Sequence, residues 1–511
     1  MVGKKDESHL EDIGRFASLS FSGELGKYFF LIVSSALVTN FFGAEIFGQY
    51  TYIISFLTII MGIAKLGMGD AALYFIPRHD EFEQKEKTAA VTAFTYMVVS
   101  AVSAFLTLLI IFFSVPISEH LLNSRESSRL LIAMAPLVFI ETLYGQTMSV
   151  FRARKRIGRY SLIRNIIYHV VRISAVLIVF LIFGIRNVYG IVIPTYVSYL
   201  FVLAYSLWYQ VKESMIGNPR TLSGTEKIKM VRYGLPLFMA AIIHVLLRQA
   251  DILMIGYIIG PGQVAVYNIA VQVCTIIPFF SVLANVFFNP MVSSLHHAGK
   301  RVEMIGTYQA VSKWMFASGL FIFLGLMLFS ESVLHLFGTE FIAGSTALVL
   351  VGFGALAGII TGPSAGMNAM TGHPQFNLIA SSITFTVNII LNLVLIPRHG
   401  INGAAVATLI SAFTGGIISL VFLYKKQKIQ PYTWMHLKPL AAGAASYAVI
   451  AMINRHIMWQ GMTDVIIKAV LYAALFVGVM ILLGFDDDDR VILKNLVKGF
   501  ATIARKLKQA P

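Results

Sequence analysis

Residues 244–268 read HVLLRQADILMIGYIIGPGQVAVYN, and the fold turns on how this stretch is read. It begins inside an apolar run long enough to cross a bilayer, which takes roughly 20 residues. His244, Arg248 and Asp251 lie inside that run. The run ends at Gly260-Pro261-Gly262, a cluster of turn formers, and apolar sequence resumes at Tyr267. The front of the chain repeats this exit. Residues 42–50 read FGAEIFGQY and residues 259–267 read IGPGQVAVY, so that Gly43 pairs with Gly260, Gly48 with Ala265 and Tyr50 with Tyr267 at an offset of 217. A duplicated unit with ionisable groups at membrane depth is the pattern of a transporter.

Composition agrees. The chain has 511 residues, of which 57% are hydrophobic and only 13% charged, whereas soluble domains carry about a quarter charged residues. The net charge of +15 does not point to nucleic acid. No basic patch sits on a soluble domain, and membrane proteins concentrate Lys and Arg in their cytoplasmic loops. Cys274 is the one cysteine and lies in an apolar run, so it reads as a small core residue. The N-terminus, MVGKKDESHLEDIGR, has no apolar stretch of the signal-peptide kind, and the first span is expected to serve as the insertion signal.

Fourteen segments are apolar and long enough to span, near 21–42, 48–70, 89–113, 129–151, 160–183, 188–210, 233–259, 264–289, 305–329, 342–362, 375–396, 401–424, 437–454 and 464–484. All are expected to be helices, because an open sheet leaves its backbone polar groups unpaired in lipid. Lys and Arg set the orientation. RARKRIGR (152–159), KIKMVR (227–232), KKQK (425–428) and the basic C-tail fall on one side, against Arg125, Arg129, Arg186, Arg398 and Arg455 on the other. The rich side is cytoplasmic, which places both termini inside a cell membrane. The duplication extends further. YSLIRNIIYHVVRIS (160–174) resembles FNLIASSITFTVNII (376–390), and VYGIVIPTYVS (188–198) resembles INGAAVATLIS (401–411). The expected organisation is a six-helix bundle over 1–210, a cytoplasmic linker over 211–232, a homologous bundle over 233–430, an appended helix pair over 431–485 and a tail over 486–511. Two bundles of even span number insert the same way up, related by an axis along the membrane normal. In the tail, Leu493, Leu496, Val497, Phe500 and Ile503 share one face and Lys494, Lys498, Arg505, Lys506 and Lys508 fall largely on the other, the pattern of a helix lying on the inner leaflet. Asp486 to Asp489 would favour its N-terminal end.

No GxxxxGK[ST] phosphate loop and no HExxH occurs. The polar segments are too short to fold into a catalytic domain. The expectation is therefore a carrier without catalysis, cofactor or metal.

An ionised side chain at the bilayer centre costs roughly 2.5–3.5 kcal/mol on insertion scales. Glu141, Arg172, His244 and Arg248 fall near the midplane. Glu24, Lys27, Lys65, Asp70 and Lys313 fall nearer the cytoplasmic side. Glu24 with Lys27, and Arg248 with Asp251, have the i, i+3 spacing of intrahelical pairs, so a purely structural role is open for those four. Lys313 and Lys468 either snorkel or face another helix. Arg172 has no acid within a helical turn. With Arg164 and Tyr168 it forms a stripe spaced by four. Either Glu141 neutralises it, or the stripe is a cationic ladder suited to phosphate oxygens.

The stretches GELGKYFFLIVSSALVTNFFGAEIFGQYTYIISF, RQADILMIGYIIGPGQVAVYNIAVQV and NIILNLVLIPRHGINGAAVATLIS resemble the polysaccharide and lipid-linked oligosaccharide flippases of the multidrug/oligosaccharidyl-lipid/polysaccharide exporter (MOP) superfamily. The resemblance covers essentially the whole chain. It implies two bundles around a central cavity that opens alternately to each side, lined by spans 1, 2, 7 and 8. It implies a polyprenyl (pyro)phosphate-linked glycan as the cargo and glycan-assembly proteins as candidate neighbours. By position, Lys27, Lys65 and Arg248 are the basic residues that would meet the phosphate, with Asp251 as the acid of the R-x-x-D run. Arg172, Arg164 and Tyr168 join them on depth and stripe alone. The alternative is a proton- or sodium-coupled exporter of cationic drugs, in which Asp251, Glu24 and Glu141 bind the ion or the drug.

Overall fold

The computed structural model describes residues 2–123, 127–456 and 462–484; the side chains of residues 2–22, 24, 286, 456 and 462 lie outside that description. Every regular element among the described residues is helical, as expected where lipid offers the backbone no hydrogen bonds. Eleven helices are long and apolar enough to cross a membrane, or twelve if the bent pair Pro261–Cys274 and Phe279–His297 is one span. The chain is an all-α polytopic membrane protein. The amphipathic helix expected over 486–508 lies outside the described residues.

The chain divides into two compact units, one running from Leu19 to Asn268 and the other taking in the described residues from Ile269 onward. This division falls later in the sequence than the linker expected at 211–232, because helix α7 packs with the helices that precede it.

In the first unit, α1 spans Val2–Ala64 with a break at Gly43, whose φ of 75° and ψ of 172° are not helical. Its apolar part, Leu25–Ala64, has 40 residues, about 60 Å if straight and twice the hydrocarbon core. Lys27 and Lys65 nevertheless line a single cavity, although a straight helix would set them about 57 Å apart. The chain therefore reverses at Gly43. Next come α2 (Met68–Glu81), α3 (Lys85–Phe112), α4 (Ser127–Ala153), α5 (Ile157–Leu181), α6 (Tyr189–Lys212), α7 (Gly224–Ile258) and the start of α8 (Pro261–Cys274). A capping box at Ser223 and Glu226 starts α7. Buried polar groups join α3, α4 and α6. Tyr96 donates to Gln210 at 2.8 Å, Gln146 donates to Thr95 at 2.8 Å and Gln210 donates to the Thr147 carbonyl at 3.1 Å. With no water to compete, such bonds fix the helices against one another.

Helix α7 meets the α1–α2 segment backbone against backbone near each end. A Cβ on Gly67 would stand 2.1 Å from the Gly234 carbonyl oxygen, and one on Gly48 would stand 1.8 Å from the Pro261 oxygen. No side chain fits at either place. Gly67 also has a φ of 68°, a second reason that only glycine is at ease there.

In the second unit the chain continues through α9 (Phe279–His297), α10 (Arg301–Leu328), α11 (Ser345–Ile360), α12 (Ser364–Met370), α13 (Gln375–Gln427), α14 (Leu437–His456) and α15 (Met462–Leu482). Helix α13 breaks at Gly400, with φ 59° and ψ −139°. A Cβ on Gly403 would come within 2.2 Å of the Leu395 oxygen, so the chain folds back here as well. The sequence count of fourteen crossings thus depends on reading each of these two reversals as two crossings and the bent pair as one. Cys274 is buried and donates to the Leu348 carbonyl at 3.2 Å, which fits a core residue. Lys468 does not snorkel: it is buried against Asp464 at 2.7 Å. Lys313 is buried too.

Backbone angles carry the duplication beyond what side chains reveal. Residues with positive φ mark most turns between the described helices, and twelve of them recur in pairs: Gly43 and Gly260, Glu83 and Gly299, Asn123 and Gly338, Lys155 and Gly372, Gly184 and Gly400, Ser214 and Lys428. Their offsets run only from 214 to 217. Besides Gly484 at the end of the described chain, two features have no counterpart at that spacing. The α1–α2 break, with positive φ at Leu66 and Gly67, belongs to the first half, and Gly362 belongs to the second. Short π turns at Ile117–Leu121 and Ile163–Ile167 occur only in the first half of the described residues. Both fall in stretches one residue longer between paired turns than their counterparts, and a π turn absorbs a single extra residue.

Candidate functional site

The first unit encloses a cavity of about 400 Å³, within the size range of small-ligand sites. Reversal at Gly43 brings Lys27 and Lys65 to its wall from the two arms of α1. Helix α4 contributes Glu141, Tyr144 and Arg152, helix α5 contributes Tyr160, Arg164, Tyr168 and His169, and helix α6 contributes Tyr199. Four basic side chains face one acid. Lys65 reaches this position because residue 145 is glycine: a Cβ there would stand 3.2 Å from Lys65 Cε and 3.6 Å from Nζ. Lys27 Nζ lies 5.0 Å from the Tyr28 ring centroid. Arg164, in the π turn of α5, donates to the Tyr160 hydroxyl, and the guanidinium of Arg152 lies 5.8 Å from the same ring. These cation–ring contacts position the charges.

Glu141 lies near the Tyr199 hydroxyl, with Lys65 and Arg164 as its charged neighbours. Three buried polar atoms at or just behind the wall have no hydrogen-bond partner among the described residues: the Tyr144 hydroxyl, Nδ1 of His169 and Nε of Arg172. Orphaned buried polar groups are rare and call for a reason; two of these three belong to residues that line the cavity, Tyr144 and His169. The His169 ring is stacked on Phe30, with centroids 6.2 Å apart and 9° between planes, so its edge is held in place.

Of the residues singled out from sequence, Lys27, Lys65, Glu141, Arg164 and Tyr168 come together at this cavity. Arg172 stands one turn beyond Tyr168 and has Tyr168, Tyr50 and Tyr199 as its neighbours. The neutralisation of Arg172 by Glu141 is not found; tyrosine hydroxyls surround Arg172 instead. The stripe spaced by four is interrupted by the π turn, which adds a residue to the turn carrying Arg164. Arg248 is exposed on α7 and does not line the cavity. The expected pairing of Arg248 with Asp251 gives way to another contact: Asp251 is buried and accepts a hydrogen bond from Tyr267 at 2.8 Å. Glu24 lies on α1, and its side chain is outside the described residues. Sequence reading missed Tyr144, Tyr160, Tyr199, Arg152 and His169. Only Tyr160 left a signal, since Tyr160, Arg164, Tyr168 and Arg172 follow one another at intervals of four.

A second cleft, of about 560 Å³, opens where the chain turns near Gly43, Asn123 and Gly260, with Glu45, Gln49, Arg129, Tyr189 and Tyr257 among its walls.

Comparison with known proteins places this architecture. A family described as polysaccharide biosynthesis protein matches residues 14–296, and the MatE family matches residues 236–394. An uncharacterized membrane protein of Methanocaldococcus jannaschii is 24% identical over 79% of this chain and 83% of its own length. A probable flippase of Haloferax volcanii, AglR, is 25% identical over 47% of this chain, a stretch that spans about half (51%) of AglR. A probable low-salt glycan biosynthesis flippase of the same organism, Agl15, is 29% identical over 34% of this chain and 37% of its own length. Among solved structures, the lipid II flippase MurJ in an inward closed conformation matches with a TM-score of 0.69 and 18% identity, over 92% of this chain and 98% of MurJ. An inward-facing multidrug resistance MATE transporter matches at 0.63 and 16%, over 78% and 95%. The structural likenesses show the fold; the sequence match over more than half of the chain shows the family. The chain belongs to the polysaccharide biosynthesis protein family.

Proposed function

We propose that this protein is a flippase that carries a polyprenyl (pyro)phosphate-linked oligosaccharide from the cytoplasmic to the outer leaflet of the cell membrane, by alternating access and without catalysis. The observation that carries this reading is the cavity of the first unit, where Lys27, Lys65, Arg152 and Arg164 converge beside unpartnered tyrosine and histidine atoms. Arg and Lys at depth suit phosphate, and the tyrosines offer ring faces and hydroxyls to a sugar. The probable flippases of Haloferax volcanii support the same class of cargo. Both termini are assigned to the cytoplasm on the Lys and Arg distribution, and the two halves are read as homologous bundles on the recurrence of the turns. Arg172 backs the cavity through Tyr168. Arg248 is assigned a phosphate contact during transit. An inside-negative potential favours outward movement of an anion by about 2.3 kcal/mol per charge at 100 mV.

The test is flipping of a lipid-linked sugar in proteoliposomes. Arg164→Ala and Lys65→Ala each remove charge-assisted hydrogen bonds worth about 1.5–3 kcal/mol. Flipping should fall roughly 10- to 100-fold while the protein stays in the membrane. The exporter reading expects the reverse: Asp251→Asn abolishes efflux of a cationic dye and the basic-residue variants stay active. That second pattern refutes the flippase.

A further inference from the structure

Within that reading, we propose that Glu141 is the internal counter-anion of the phosphate site and competes with the substrate's phosphate for the same cations. Among the described side chains, Glu141 is the one acid on a wall that carries Lys27, Lys65, Arg152 and Arg164. It belongs to α4, yet the groups around it come from elsewhere: Lys65 from the end of α1, Arg164 from the π turn of α5 and the Tyr199 hydroxyl from α6. A carboxylate and a phosphate are both oxyanions, and they ask for the same donors. Clustered cations at membrane depth repel one another and are costly without an anion, and Glu141 supplies one from within the protein. It does so loosely. No close ion pair joins Glu141 to Lys65 or Arg164 among the described residues, so their remaining donors stay available.

The arrangement follows a rule common to transport sites, where binding must be favourable enough for entry and weak enough for exit. A site with the four cations and no internal anion would hold a pyrophosphate tightly and release it slowly. With Glu141 in place, binding becomes an exchange of one anion for another, and the carboxylate can retake its position as the cargo leaves. Glu141 is thus a positioning and affinity-setting residue rather than one that grips the cargo.

Full-length protein in lipid nanodiscs, with inorganic pyrophosphate as the probe, provides the test. Glu141→Gln keeps the shape and removes the charge; Glu141→Asp keeps the charge. The glutamine variant should bind pyrophosphate about tenfold more tightly than wild type, the size expected from about 1.4 kcal/mol of lost competition, and the aspartate variant should stay within about threefold of wild type. In flipping assays with a lipid-linked sugar, the glutamine variant should show a lower apparent KM and a lower maximal rate together. A merely structural role would not lower KM. Equal or weaker pyrophosphate binding by correctly inserted Glu141→Gln overturns the exchange while leaving the cavity's assignment standing. Absence of pyrophosphate binding by wild type and glutamine variant alike overturns both.

Discussion

Helix α5 and the first arm of α13 occupy equivalent places in the two halves, and they do opposite things. Aligned at an offset of 216, Arg164 meets Ala380, Tyr168 meets Thr384 and Arg172 meets Asn388. Ala380 and Asn388 are buried. Asn388 accepts from Asn392 at 3.1 Å, and Thr384 donates to its own helix at the Ala380 carbonyl. This arm of the second half therefore keeps its polar groups neutral, with Asn388 and Thr384 bonded within the helix. In the first half they are charged, they border a cavity and some are left unpartnered. Duplication supplies one scaffold twice.

The hardest way to break this comparison is to move the charge across. Ala380→Arg places a guanidinium in a buried position without a partner, for which a penalty of about 3–5 kcal/mol is expected. The yield of folded protein and its melting temperature in detergent should drop sharply. If Ala380→Arg is as stable as wild type, the second half is not the closed neutral copy described. A smaller effect separates packing from transport. Asn388→Ala removes a buried hydrogen-bonding group and should cost about 1–3 kcal/mol of stability, with flipping by the surviving protein unchanged within about twofold. A loss of transport comparable to that of Arg164→Ala would make the second half part of the site. The smallest effect sharpens the comparison at the turns. Lys155 and Gly372 occupy the same turn, with φ of 57° and 87°. A side chain in this region costs roughly 1–2 kcal/mol, offset in part by the greater chain entropy of glycine. Lys155→Gly should raise thermal stability by less than about 1 kcal/mol and Gly372→Ala should lower it by a similar or larger amount. Equal responses from both would remove the argument that these turns are repeats.

Much of the architecture was legible because lipid narrows the choices. Apolar runs of sufficient length become helices, and the Gly-Pro-Gly exit already marked one half of a repeated turn. The other turns were not legible, since Glu83, Asn123, Lys155 and Ser214 look like ordinary loop residues until their φ is known. The cavity was half legible. Lys27, Lys65, Glu141 and Arg164 stand out as charges in apolar sequence. Tyr144 and Tyr199 do not, because a tyrosine within a span reads as bulk. Spacing along one helix also misled where a neighbour from another segment intervened. Arg248 and Asp251 share a helix face, yet the hydroxyl of Tyr267 supplies the bond to Asp251. Arg172 lacks an acid nearby in sequence, and among the described residues its neighbours in space are Tyr50, Tyr168 and Tyr199.

The reversal at Gly43 and the closure of the cavity by α6 have a consequence for synthesis. The lining residues run from Lys27 to Tyr199, so all of them have left the ribosome once α6 is complete at Lys212. At about 5–20 residues per second, translation of the rest of this chain takes roughly a quarter of a minute to a minute more. For that interval a nascent chain already displays four cations and Glu141 to the bilayer, with no second half beside them. An internal counter-anion then matters for biogenesis as much as for transport. It keeps an unfinished protein from presenting bare positive charge to the anionic lipids around it.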